Sequence, residues 1–247
     1  MIPIKSEEDL KMLERSGKIL SRIMRKLNKF IRTGVSTIEI DRMAQEMMKG
    51  ENSKSAFKGY NGFPANICVS VNEEVVHGIP GERILKDGDI VSLDVGINYQ
   101  GYLSDAAITI PVGRIDSGRK KLIDVTKRAL LEGIKQARIN NHLSDISYAI
   151  QSCVEKNGFS IVRQFVGHGI GCDLHEEPQI PNFGKPHQGE ILKKGMVLAI
   201  EPMVNMGTWE CEILDNGWTA VTKDRFPSAH FEHTVAITER GPKVLTN

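Results

Sequence analysis

The sequence predicts an α/β chain, more narrowly α+β, in which two similar helix-then-strand halves are related by a pseudo-twofold axis and share a mixed, largely antiparallel sheet. Two repeats carry that expectation. A helix pair opens each half, and the second helix of each pair has the same spacing between its leading Ser and its closing Gly: Ser36 and Gly50, then Ser144 and Gly158. An acidic strand follows each pair at a similar distance, carrying Asp94 in the first half and Glu201 in the second. Halves covering about residues 1–112 and 113–247 are expected to form one domain over 1–247, with helices on one face of the sheet and a cleft on the other.

The first helix is expected from an N-cap at Ser6, with Leu10, Leu13, Ile19, Leu20, Ile23 and Leu27 along its apolar stripe and a stop at Gly34. Ser36-Thr37-Ile38-Glu39 reads as a capping box, starting a second helix that ends at Gly50. Residues 90–96 and 102–108 are strand-like and close enough to form a hairpin. If Tyr99 and Gln100 make its turn, Asp94 faces Asp105 across the pair. A third helix runs through Leu122, Val125, Ala129 and Ile134, with Arg119, Lys120 and Lys121 on its solvated face. The fourth is expected to start at Ser144. Two further strands, 197–204 and 231–237, carry Glu201 and Glu232.

Composition excludes several functions. The 247 residues are 40% hydrophobic, enough for a substantial core, and their formal net charge of +1 comes with no basic stripe of the kind a nucleic-acid binder needs. The N-terminus lacks the apolar core of a signal peptide, and no run approaches the length of a membrane span. A cytoplasmic protein with neither nucleic-acid nor membrane partners is expected. Cys68, Cys153, Cys172 and Cys211 are scattered without a C-x-x-C pair, which fits reduced thiols held by ordinary packing.

The chemistry lies in the carboxylates. Asp94, Asp105, Glu201 and Glu232 sit inside apolar strands, where an unpaired charge is costly, and His168 stands in the Gly-rich string GHGIG. A lone Asp in a strand is usually an edge or turn residue, but four carboxylates and an imidazole together call for cations. The set is too rich in oxygen for a closed structural zinc site and too acidic for one ion. Two divalent ions sharing bridging carboxylates would satisfy it, and such a pair can activate water and stabilise the tetrahedral intermediate of amide hydrolysis. His233 should face away from Glu232 by strand alternation. His142 and His187 lie in polar segments and are expected to be solvated.

The strings VNEEVVHGIPG, SLDVG, SDAAIT, GHGIG, LHEEP, IEPM and FEHT stand in an order and spacing that resemble type I methionine aminopeptidases, from about Ile4 to Asn247. The resemblance is to the short bacterial form. It implies the pita-bread creatinase/aminopeptidase fold and two divalent ions, Co2+, Mn2+, Fe2+ or Zn2+. The implied activity is removal of the initiator methionine from nascent polypeptides when the second residue is small. It further implies Asp94 on one ion, Asp105 and Glu232 as bridges, and His168 and Glu201 on the other, with Glu201 also moving the proton from water to the leaving amine. His77 and His175 match the family's two outer histidines, which contact substrate. Tyr60, Phe63, Cys68 and Trp218 match its methionine pocket; without the resemblance the two aromatics would read as core or surface residues. The expected partners are nascent-chain N-termini met by a monomer, with transient ribosome contact.

Two residues depart from the family pattern: Leu174 stands where an aromatic residue is expected before His175, and His230 where Gln is expected before Glu232. The first would reshape the pocket; the second adds an imidazole near the metals. The alternatives are a proline-directed metallo-aminopeptidase of the same fold and a non-catalytic binding protein. The former usually carries an extra N-terminal domain, and the latter has lost its ligands, whereas all five ligands and both outer histidines are present here.

Overall fold

The computed structural model describes residues 1–247, and its element order repeats. Two helices open the chain: α1 (Glu7–Phe30) and α2 (Thr37–Gly50). They lead into β1 (Lys54–Ser55), β2 (Cys68–Val71), β3 (Glu74–Val76) and the long hairpin β4 (Ile90–Tyr99) and β5 (Tyr102–Pro111). The second half again opens with two helices, α3 (Ser117–Gln136) and α4 (Leu143–Lys156). Its strands are β6 (Ser160–Ile161), β7 (Gly167–Gly169), β8 (Glu176–Ile180), β9 (Val197–Ile200) and β10 (Met203–Asn205). The chain closes with β11 (Cys211–Ile213), β12 (Ala220–Thr222), β13 (Ser228–His230), β14 (His233–Thr238) and β15 (Gly241–Val244).

Local chemistry sets the helix ends. Ser6 and Ser36 each cap through a reciprocal box with the residue three positions on, Asp9 and Glu39. α1 stops at Phe30, short of Gly34, because Ile31 is already extended; Gly34, at φ 91°, serves the turn that follows. The fourth helix begins earlier than expected, with His142 at its N-cap and the Asp145 carboxylate accepting the His142 backbone N–H at 2.8 Å. Ser144 instead accepts the Gln188 N–H, so its side chain is spent on a loop. The true counterpart of Ser36 is therefore His142. Both helices are 14 residues long, and each N-cap makes an isolated antiparallel bridge to a later Ile: Ser36 to Ile84 and His142 to Ile191. The duplication expected from Ser144 is real, but its register is shifted.

The single mixed sheet expected from the sequence resolves into four sheets in which every strand pairing is antiparallel. A four-stranded sheet has order β1-β4-β2 with β5 beside β4, and a five-stranded sheet runs β15-β14-β9-β7-β8. Two three-stranded sheets, β13-β10-β6 and β11-β12-β3, complete the fold, and the pairing of β12 with β3 joins the two halves. The expected strand 197–204 is broken at Glu201-Pro202, and the one expected over 231–237 starts only at His233, with Phe231-Glu232 forming the break between β13 and β14. Pro202 has no N–H for a ladder, so the chain leaves the five-stranded sheet there and enters a three-stranded one. Both breaks carry a site carboxylate.

One apolar cluster joins α1 and α2 to β2, β4 and β5 through Leu20, Ile23, Ile40, Leu93 and Ile97. A second joins α3 and α4 to the later strands through Leu122, Ile146, Ile150, Leu198 and Val235. A third, containing Phe57, Phe63, Cys68, Leu103, Leu174 and Ala199, lies between the halves beside the site. None of the helices is long and apolar enough to cross a membrane.

Candidate metal centre

Asp94 and Asp105 come from the hairpin, though not as opposed partners. Tyr99 pairs with Tyr102, so the turn residues are Gln100 and Gly101, at φ 55° and 89°. Positive φ at both central positions is the primed geometry that fits strand twist, and Gly tolerates it best. Asp94 consequently pairs with Ala107, and Asp105 with Gly96. The two carboxylates remain on one face as diagonal neighbours, since residues two apart on a strand point the same way. Gly96 is needed opposite Asp105, because a Cβ there would collide with the Phe57 ring.

The other half meets this face through its own backbone. Glu232 N–H donates to Ala107 O at 2.9 Å, and the Thr234 hydroxyl both accepts from Asp105 N–H at 2.9 Å and donates to Asp105 O at 2.8 Å. His168 sits on β7 beside β9, paired with Ala199. The His168 Nδ1 lies 2.9 Å from Gly169 O, and a carbonyl only accepts, so Nδ1 carries the proton and Nε2 presents its lone pair. That nitrogen is 3.5 Å from Glu201 Oε1.

Ligand atoms of Asp105, His168 and Glu232 all lie within 4.8 Å of one another, and all three residues are buried. Asp94 and Glu201 border the same cavity. Asp94 Oδ1, Asp105 Oδ1 and Glu232 Oε1 are buried without a hydrogen-bond partner. Burial pushes all four carboxyls up, Asp105 to about 7 and the others well above the carboxylate range, with mutual repulsion adding to the rise for Asp94, Glu201 and Glu232. Burial, together with the adjacent His175, lowers His168 to about 3, so its imidazole is neutral. Neutral imidazole, converging carboxylates and orphaned buried oxygens are a donor set that divalent cations satisfy.

Above this floor is a cavity of about 200 Å³. Tyr60, Phe63, Cys68, His77, Leu174, His175 and Trp218 line it together with Asp94, Asp105, His168, Glu201 and Glu232, so every residue expected in the site borders one space. The sequence reading missed Phe57 and Asn61, which also line it. Asn61 stands inside GYNGFP and Phe57 two residues before it, but nothing in that stretch says which side chains turn inward. Phe63 packs edge-on against Trp218 at 5.1 Å between ring centroids and against Phe57 at 6.5 Å, giving an aromatic wall.

The outer histidines are held differently. Tyr60 Oη lies 2.7 Å from His175 Nδ1; with the hydroxyl donating, the ring proton moves to Nε2, where it can donate in turn. His77 adopts φ 58°, a strained conformation for a non-glycine residue, between Val76 on β3 and Gly78. Gly78 cannot carry a Cβ, which would strike the Val69 carbonyl. Burial lowers His77 to about 4. His230 is fully enclosed, with neither ring nitrogen hydrogen-bonded and Nε2 3.5 Å from Glu201 Oε2, so the departure from Gln brings a second imidazole against that glutamate. His142, expected to be solvated, is half-buried at its helix cap, whereas His187 is largely exposed. His233 takes no part in the cavity and contacts the Thr246 hydroxyl at 2.9 Å.

Comparison with known proteins places this geometry. The profile of metallopeptidase family M24 matches residues 11–239. Methionine aminopeptidase 1 of Bacillus subtilis (strain 168) is 51% identical over 246 residues, covering 100% of this chain and 99% of that protein. A methionine aminopeptidase of Clostridium perfringens is 50% identical over 246 residues, covering 100% of this chain and 99% of that protein. The crystal structure of methionine aminopeptidase from Thermotoga maritima superposes with a TM-score of 0.98 at 46% identity, covering 100% of both chains.

Proposed function

The chain belongs to metallopeptidase family M24, and from that membership we propose that it removes the N-terminal methionine of nascent polypeptides whose second residue is small. Residues 1–247 act as one catalytic domain, because the first half supplies Asp94 and Asp105 and the second His168, Glu201 and Glu232. The observation that carries the reading is a floor of orphaned, buried carboxylate oxygens beneath an aromatic, sulfur-containing pocket. Asp94, Asp105, His168, Glu201 and Glu232 would hold the cations, with the two aspartates and two glutamates supplying charge and His168 a neutral nitrogen. When bound, two divalent cations such as cobalt, manganese, iron or zinc supply Lewis acidity toward water and the scissile carbonyl.

The remaining work falls to the chain's own groups. Glu201 takes the proton of the attacking water and delivers it to the leaving amine, a task suited to a carboxylate that borders the cavity beside His168. The Nε2–H of His175 donates to the oxygen that gains charge in the tetrahedral intermediate, and Tyr60 fixes the ring for that role. His77, neutral through burial, holds the peptide beyond the scissile bond. Phe63, Trp218, Cys68 and Leu174 enclose the methionine side chain, whose thioether packs well on aromatic rings. The protein works in the cytoplasm as a monomer that meets new N-termini in transient contact with the ribosome.

A panel of Met-Ala, Met-Gly, Met-Lys, Leu-Ala and Ala-Pro, assayed with each cation, tests this reading. Cleavage of Met-Ala and Met-Gly, with the other three resistant, is expected. Preferential cleavage of Ala-Pro would overturn it in favour of a proline-directed enzyme, and inertness toward all five with every cation would overturn it in favour of a binding protein.

A further inference from the structure

The loop that carries His175 is tied to the N-terminal segment by one buried ion pair. Lys5 Nζ lies 2.6 Å from Glu176 Oε2 and 2.8 Å from Oε1, and the two side chains are each only 8% exposed. Glu176 directly follows His175. Its Oε1 also accepts the backbone N–H groups of Cys172 at 2.9 Å and Asp173 at 3.3 Å, so one carboxylate organises the turn from Gly171 to His175. Leu103 N–H donates to Gly171 O at 2.7 Å and anchors the other end of that turn to β5.

Lys5 is itself a fixed post. Its backbone N–H donates to Gly195 O at 2.8 Å, and the next residue, Ser6, is the capping residue of α1. The ammonium passes directly over Gly171, where any Cβ would collide with it. Lys5 lines neither the cavity nor the cleft that adjoins it; Glu176 borders that cleft beside His175, so Lys5 reaches the site through Glu176.

We propose that Lys5 is a positioning residue for turnover, acting through Glu176 to hold the His175 ring at the cavity. The proposal rests on the reading of His175 as a donor to the reacting amide. Without the ammonium, the buried Glu176 carboxylate has no counter-charge and turns to water, releasing the Cys172 and Asp173 amides and loosening the segment that aims His175. Catalysis is sensitive to such misplacement: about 1 Å can cost on the order of a hundredfold in rate.

The test uses Lys5→Met and Lys5→Arg in the full-length, metal-loaded protein with Met-Ala as substrate. Lys5→Met should lower kcat about ten- to hundredfold with KM and bound metal little changed, and Lys5→Arg should restore most of the loss. In a double-mutant cycle, Lys5→Met should add almost nothing to the loss from His175→Ala, since both remove the same contribution. Amide exchange at Cys172 and Asp173 should quicken in Lys5→Met, a readout independent of activity. If Lys5→Met does not fold, Glu176→Gln, which keeps an acceptor oxygen but removes the ion pair, takes its place in the cycle. Turnover equal to the parent in the folded variant, or losses that add in the cycle, would overturn the proposal. An inactive parent would instead overturn the peptidase reading, so the two failures are distinguishable.

Discussion

Replacing Asp105 with Asn should stabilise the metal-free protein and destabilise the metal-loaded one relative to the parent. In the metal-free fold Asp105 is buried, one of its oxygens has no partner, and its carboxyl is pushed from 3.8 to about 7. The folded state therefore binds a proton more tightly than the unfolded chain. The contribution of Asp105 to stability is fully present below pH 3.8, is lost as pH rises toward 7, and stays lost above it. Each pKa unit corresponds to about 1.4 kcal/mol, so the ceiling is about 4 kcal/mol, and sharing of protons with Asp94 and Glu232 brings the expected gain for Asp105→Asn at pH 8 to about 2 kcal/mol. For a chain of this size that is a Tm increase of roughly 4 to 8 °C in excess chelator. Adding cation at a hundred times its Kd should raise the parent by about 2.7 kcal/mol and the variant by much less, reversing their order. Thermal unfolding at pH 8 and pH 4, with and without cation, measures all of this. A variant less stable than the parent in chelator at pH 8 would refute the reasoning, because it would mean the carboxylate cluster is satisfied without cations.

Three further outcomes follow from individual side chains. Glu201→Gln should keep its Tm within a few degrees in chelator yet lose about two to four orders of magnitude in kcat, since it removes both a ligand charge and the proton carrier; near-normal turnover would show the role is misplaced. Leu174, 4% exposed in the pocket wall, should give way to Leu174→Phe with a gain of about two- to tenfold in the Met-Ala over norleucine-Ala ratio of kcat/KM, the range expected of one sulfur–aromatic contact. An unchanged ratio would show that this wall does not read the side chain. His77 titrates near 4 in the fold against 6.5 ordinarily, so the unfolded chain binds the extra proton between those values and stability falls as pH drops through that window. His77→Gln should flatten the stability profile between pH 6.5 and 4 by up to about 3 kcal/mol, read by urea unfolding, and an identical slope in parent and variant would mean that burial does not depress the ring's proton affinity in the fold.

Much of the site was legible because its chemistry is costly. Four carboxylates inside apolar runs stand out in a sequence whatever the fold, and the capping residues of α1 and α2 announced themselves through local hydrogen-bonding chemistry. The misreadings share a different cause: they depend on contacts distant in sequence or on choices between adjacent positions. The hairpin register turned on whether Tyr99 or Gly101 joined Gln100 in the turn, and the preference for Gly at positive φ would have decided it. The break at Glu201 was written in Pro202, yet the break at Phe231 and Glu232 has no such residue and arises from the backbone pairing of Glu232 with Ala107. Ser144 looked like a cap, but Gln188, far along the chain, claims its hydroxyl. The Lys5–Glu176 pair joins residues 171 positions apart, and no local pattern marks it.

The most direct test of the account is a time course of free methionine release from a Met-Ala-Ser peptide by chelator-stripped protein, before and after Co2+ or Mn2+ is restored, with bound cation counted in the same samples. No release in chelator, and full recovery as about two equivalents of cation bind, is the predicted result. Undiminished release in excess chelator would contradict the claim that the buried carboxylates are there to hold cations for catalysis.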